Sequence, residues 1–268
     1  MVADFQFKNE YEIQDLLRIM EILRLPGGCP WDTEQTHESI KKDLIEETYE
    51  VIEAINKQNP EMLQEELGDL LMQVVFHSRI AQEENQFAFN AVCDGICKKL
   101  IERHPHVFGE INVADTDEVL SNWDAIKRRS KHHETTTQAI DSVPRELPAL
   151  MRSAKIQHKA AKAGFDWPDV TGAFAKIAEE TEELRQAMET GAQDRIADEL
   201  GDLLFAVVNV SRFVKVDAEE ALTAATDKFR NRFAAVEALA DERGINMKET
   251  DLDELDRLWD EVKRNSLA

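Results

Sequence analysis

The phrase EELGDLLMQVV at 65–75 returns almost unchanged as DELGDLLFAVV at 198–208. In the first copy Leu67, Leu70, Leu71, Val74 and Ser78 fall at i, i+3, i+4, i+7 and i+11, which is one face of a helix. Leu44, Val51 and Ile55 form a second stripe just upstream. Asn59-Pro60 separates the two stripes as an N-cap followed by a first-turn proline, and Gly191 breaks the second copy at the matching place. The spacing therefore predicts an antiparallel helix pair in each copy, with further helices completing a small bundle.

The repeat extends well beyond the phrase. Residues 45–80 align with 178–213 without a gap, and 15 of the 36 positions are identical. KKLIERH (98–104) parallels DKFRNRF (227–233), WDAIKRRS (123–130) parallels WDEVKRNS (259–266), and each copy has a tryptophan upstream, Trp31 in GGCPWD and Trp167 in GFDWPD. An all-α protein of two similar helical-bundle domains follows, at 1–129 and 149–268, with the polar, proline-bearing segment 130–148 as linker.

Composition agrees with this class and narrows the function. Only 10 Gly and 7 Pro among 268 residues favour helices over a strand-rich fold. A formal net charge of −22 argues against a protein that coats nucleic acid or an anionic membrane. It leaves room for an anionic small substrate if a bound cation inverts the local field. Cys29, Cys93 and Cys97 are too few and too uneven for a disulfide framework, and Cys93 and Cys97, one turn apart with no second pair, read as small apolar side chains rather than a zinc site. MVADFQFKNEYEI (1–13) carries no basic leader before an apolar run, and no window approaches 18 uninterrupted apolar residues. A soluble cytoplasmic protein is the expectation.

The acids are placed by the break. Glu50 and Glu66 lie eight residues either side of position 58, and Glu47 and Asp69 lie eleven either side of it. In the second copy Glu183/Glu199 and Glu180/Asp202 are centred on Gly191 in the same way. Residues equidistant from the turn of an antiparallel hairpin face each other, so four carboxylates converge from two helices in each copy. Carboxylates gathered in a partly dry place repel, and either protons or a cation must neutralise them. All-oxygen ligation suits a hard divalent ion, Mg²⁺ or Mn²⁺. With 54 acids in the chain such spacings also arise on solvated faces, but two copies that keep the acids while their neighbours diverge point to a site. A di-iron carboxylate bundle needs Glu-x-x-His pairs, and the one such pair, Glu34/His37, has no counterpart in the second copy.

EETYE (46–50) with ELGD (66–69), and EETEE (179–183) with ELGD (199–202), resemble the MazG family of nucleoside triphosphate pyrophosphohydrolases, and the CPWD, RHPHVF and GFDW phrases stand in that family's order. The resemblance covers nearly the whole chain. It implies Mg²⁺-dependent hydrolysis of (d)NTPs to the monophosphate and pyrophosphate by helical homodimers. Carried over residue by residue, it implies metal ligands at Glu180, Glu183, Glu199 and Asp202, and in the repeat copy at Glu47, Glu50, Glu66 and Asp69. It also matches Lys228 and Arg232 to the family's basic pair and Trp259 and Lys263 to its late Trp/Lys pair, with Lys99, Arg103, Trp123 and Lys127 as their counterparts in the first copy.

The chemistry fits these assignments. Lys228 and Arg232, one turn apart, can point a compact charge and a planar fork at the same phosphates, although an exposed basic face pairing with the acidic surface would look similar. Trp259, one turn from Lys263, suits either base stacking or a core position. A metal-acidified water attacking the α-phosphorus would expel pyrophosphate, and Glu179, about 100° round the helix from Glu180, is a candidate to orient that water. Pro105 ends the first copy's basic helix soon after Arg103, whereas the second runs on, which tilts the assignment of activity to the second copy. The rival class is a non-catalytic acidic helical scaffold that regulates a partner. Such a scaffold has no need of acids mirrored about a turn.

Overall fold

The computed structural model describes residues 5–130 and 134–265, and all regular structure among them is helical. The chain divides into two compact units, Met1–Lys127 and Arg128–Ala268. The first contains α1 (Ile13–Arg24), α2 (Pro30–Glu34), α3 (Lys41–Asn56), α4 (Pro60–Glu83), α5 (Phe89–Arg103) and α6 (Pro105–Phe108), and α7 (Thr116–Ser130) ends just past the division. The second contains α8 (Thr136–Asp141), α9 (Ala149–Lys162), α10 (Val170–Thr190), α11 (Gln193–Phe213), α12 (Ala218–Glu242) and α13 (Leu252–Asn265). Among the described residues no helix is long and apolar enough to cross a membrane.

Each unit is built on the expected helix pair, α3 with α4 and α10 with α11. The two pairs pivot at one repeat position. Gln58 (φ 51) and Gly191 (φ 68) both take the left-handed conformation that reverses the chain. Asn59 then caps α4 by accepting from the Met62 N–H at 3.1 Å, with Pro60 at the first helical position where a missing N–H costs nothing. Equivalent alanines, Ala54 and Ala187, are fully buried. Threonines one turn into the acidic segments, Thr48 and Thr181, both donate to the carbonyl four residues back at 2.7 Å.

In the first unit Met20, Ile40, Val75, Phe76 and Ile80 form the core, with Leu16 and Leu17 of α1 and Phe89 of α5 packed around them. Fully burying each of the larger side chains contributes about 2 kcal/mol. Arg24, at the end of α1, is buried against this core and anchors the turn into α2. Its guanidinium pairs with Glu83 at 2.8 Å, lies 5.2 Å from the Phe76 ring centre, and donates to the carbonyls of Asp32 and Gln35. The α2 segment, which carries the exposed Trp31, is thereby fixed to α1 and α4.

In the second unit α9 packs on α11 and α12, and Val236, Ala240, Leu258 and Val262 join α12 to α13. The segment before α10 is held by a two-pronged pair in which Arg212 of α11 grips Asp166, at 2.8 Å for one prong. The stretch expected as a linker, 130–148, contains α8, and its residues 131–133 lie outside the described residues. The helix forms because Thr135 and Gln138 cap it reciprocally, and Ala139 and Val143 are buried. The two basic helices differ as Pro105 requires: α5 stops at Arg103, whereas α12 continues through Val236 to Glu242.

Candidate active site

The helix pairs bring the mirrored acids together. In the second unit carboxylate oxygens of Glu180, Glu199 and Asp202 lie within 4.8 Å of one another, and those of Glu179, Glu180 and Glu183 form a second such group sharing Glu180. In the first unit Glu47, Glu66 and Asp69 converge to the same limit. Glu50 stands beside that group and acts on the charge of both Glu47 and Glu66.

Glu180 is the pivotal ligand-like group. It is only 3% exposed, and its Oε2 is buried without a hydrogen-bond partner. A carboxylate oxygen in that situation is costly unless a cation faces it. Burial, and then the neighbouring Glu180 carboxyl, push the Glu183 carboxyl above its ordinary pKa. Burial, followed by Asp69 and Glu50, does the same to Glu47, and Gln73 offsets part of this by donating to Glu47. These are hard oxygen donors held close together, a set suited to a divalent cation of the Mg²⁺ or Mn²⁺ kind.

One cation of the protein already sits among the acids, and the sequence reading overlooked it. Lys176, one turn before the cluster, pairs with Glu179 at 2.9 Å and with Glu180, and those two bonds raise its pKa. Its signal was available: Lys176 stands three and four residues before two of the acids, and the repeat places Asp43 at the same position in the first unit. Glu179, expected to point about 100° away from Glu180, reaches the cluster because Lys176 ties the two together. On α4 the polar series Asp69, Gln73, His77 occupies successive turns of one face where α11 has Asp202, Ala206 and Val210. His77 ends that series with its Nδ1 2.8 Å from Nδ1 of His37, the two rings parallel.

Comparison with known proteins agrees with the geometry. The model of the MazG nucleotide pyrophosphohydrolase domain matches twice, at residues 35–108 and 169–236, which span both helix pairs. The chain belongs to the MazG family. It is 44% identical to the nucleoside triphosphate pyrophosphohydrolase of Escherichia coli K12 over 96% of this chain and 98% of that one. It is also 44% identical to the nucleoside triphosphate pyrophosphohydrolase/pyrophosphatase MazG of Thermotoga maritima, over 93% of this chain and 95% of the relative. A nucleoside triphosphate pyrophosphohydrolase of Mycolicibacterium smegmatis is 37% identical over 56% of this chain and 46% of its own length.

The remaining residues matched to the MazG pattern lie on other helices than the carboxylates. Lys228 and Arg232 line a pocket on α12 with Asp227 and Asn231, and among the described residues no ion pair joins either of them to the acid cluster. Trp259 packs on the Phe229 ring at 5.3 Å beside the α12–α13 core, with Lys263 exposed one turn on. In the first unit the Arg103 guanidinium lies 5.5 Å from the centre of the Trp123 ring, which also meets the His104 ring in a T-shaped contact, while Lys99 is exposed on α5 and Lys127 follows Trp123 by a turn of α7.

Proposed function

We propose that this MazG-family chain hydrolyses nucleoside triphosphates to the monophosphate and pyrophosphate at the carboxylate cluster of its second unit. The observation that carries the reading is the buried, unpartnered oxygen of Glu180 inside a close group of carboxylates. The relatives' names supply the substrate class. Glu180, Glu183, Glu199 and Asp202 would hold Mg²⁺ or Mn²⁺, with Glu47, Glu50, Glu66 and Asp69 as the equivalent set in the first unit. Bound there, the metal neutralises the acids and the phosphates and acidifies a water.

The protein's own groups do the rest. Glu179 accepts the proton of the attacking water, which adds to the α-phosphorus as the bond to the bridging oxygen breaks and pyrophosphate departs. Lys176 compensates Glu179 and Glu180 before the metal enters, and is then available to the phosphate chain. Lys228 and Arg232 supply further positive charge to the phosphates, and the stack of Trp259 on Phe229 stiffens the helix pair that carries them. The second unit is the active one because it has Lys176 where the first has Asp43, and an uninterrupted α12 where α5 stops. A second copy of the chain covers the exposed apolar side chains on α11 and α12, among them Leu200, Leu204, Leu222 and Phe233, giving the homodimer.

The test is pyrophosphate release by the full chain from each common NTP, with Mg²⁺ and with EDTA. Release is expected only with the metal. Glu183→Ala should lower it about 100-fold and Glu50→Ala far less. Unchanged release from Glu183→Ala overturns the ligand assignment. No release from the parent chain under either condition overturns the enzyme in favour of the acidic scaffold.

A further inference from the structure

The GFDWPD segment, present in the sequence as an unexplained phrase, builds a stacking surface on the carboxylate side of α10. Trp167 lies against Gly172 so tightly that three of its ring atoms fall closer than 3.0 Å to where a Cβ would stand. Only glycine admits the ring there. The segment around it is held at both ends. Asp166 is gripped by Arg212 and accepts the Trp167 N–H at 2.9 Å, and Asp169 caps α10 through the Thr171 N–H at 2.8 Å. One side of the indole is thus pressed on the helix, while Trp167 as a whole stays 39% exposed.

Its position along α10 is informative. The ring lies in the Cβ direction of residue 172, and a helix turns 100° per residue, so Lys176, Glu179 and Glu183 point within about 40° of it. With a rise of 1.5 Å per residue, Gly172 stands about 12 Å before Glu180 along the axis. Lys176 lies between the two. An aromatic platform, a lysine and a carboxylate cluster therefore follow one another along a single helix face, in the order base, phosphate, metal, over a span matching a nucleotide laid lengthwise. Trp259 has one side already committed to Phe229.

We propose that Trp167 is the stacking platform for the nucleobase of the substrate, a specificity-determining residue whose seat is Gly172; this rests on the nucleotide reading of the same site. A π-face accepts every base, so the platform predicts breadth across NTPs rather than selection of one.

The experiment compares the full chain with Trp167→Ala, Trp167→Phe and Gly172→Ala, using ATP as substrate and inorganic tripolyphosphate, which has the phosphates without the base, as competitive inhibitor. Trp167→Ala and Gly172→Ala should each raise KM for ATP about 10-fold with a smaller change in kcat, Trp167→Phe should recover most of the loss, and inhibition by tripolyphosphate should stay within about twofold throughout. An unchanged KM in Trp167→Ala overturns the platform. So does a parallel loss of tripolyphosphate inhibition, which would mark Trp167 as a support for α10 alone. A parent chain that releases no pyrophosphate overturns the nucleotide reading itself, and is recognised before any variant is made.

Discussion

Gln58 and Gly191 occupy the same place in the two helix pairs, and only the glycine suits it. A side chain in the left-handed region crowds the following carbonyl at a cost of about 1 kcal/mol. Gln58→Gly should therefore stabilise the first unit by about 1 kcal/mol, and Gly191→Ala should destabilise the second by a similar amount, both read as shifts of the urea midpoint at unchanged slope. His77 sets a second expectation. Burial, and then the facing His37 2.8 Å away, hold its pKa below the ordinary 6.5, so the folded unit resists a proton that the unfolded chain accepts. Its contribution to stability is complete above about pH 6.5 and is lost as pH falls through that value toward the lower folded one. His77→Val, which installs the residue found at 210, should flatten the fall in urea midpoint between about pH 7.5 and about pH 5.5. An undiminished fall would assign the acid sensitivity elsewhere.

At the scale of the element, Arg24 joins three helices. Its side chain is 5% exposed and meets Glu83 of α4 as well as the two carbonyls that close α2. Arg24→Met should cost about 3 kcal/mol, because the carbonyls and a half-covered Glu83 lose their donor together. Limited proteolysis near Trp31 would show the accompanying release of α2. How far such elements can be read from letters depends on where their partners lie. The helix pairs were legible, because mirrored acids and repeated apolar stripes are local signals that the two copies state twice. Helix α8 was missed although Thr135 and Gln138 carry a capping pattern, because the polar letters around it, and a proline soon after, outweighed two small buried side chains. The convergence of the carboxylates could be derived from spacing alone. The hold of Lys176 on two of them had a spacing signal that went unread, whereas the seat of Trp167 on Gly172 had none, since it depends on the direction a side chain takes once its neighbours have packed.

At the scale of the whole molecule, charge dominates. With a net charge of −22 and carboxylates clustered in both units, the proposed metal sites would make the folded chain a sink for divalent cations. Mg²⁺ should raise the melting temperature, EDTA should reverse the rise, and sodium chloride at matched ionic strength should reproduce only a minor part of it. Glu183→Gln should remove part of the Mg²⁺ effect and Glu183→Gln with Glu50→Gln nearly all of it, followed by scanning calorimetry. An effect of Mg²⁺ that survives the double variant would place the cations on the general surface instead. The proposed ligand sets of the two units are alike, but among their neighbours the second has Lys176 where the first has Asp43. That exchange should reverse the order in which they fill. On the proposed reading, free Mg²⁺ should prefer the first unit, which has an acid in place of that lysine, while a metal already complexed to a polyphosphate should prefer the second. One chain would thereby carry both a reservoir for the naked ion and a seat for the loaded one, and a titration would fill them in opposite sequence according to which is added first.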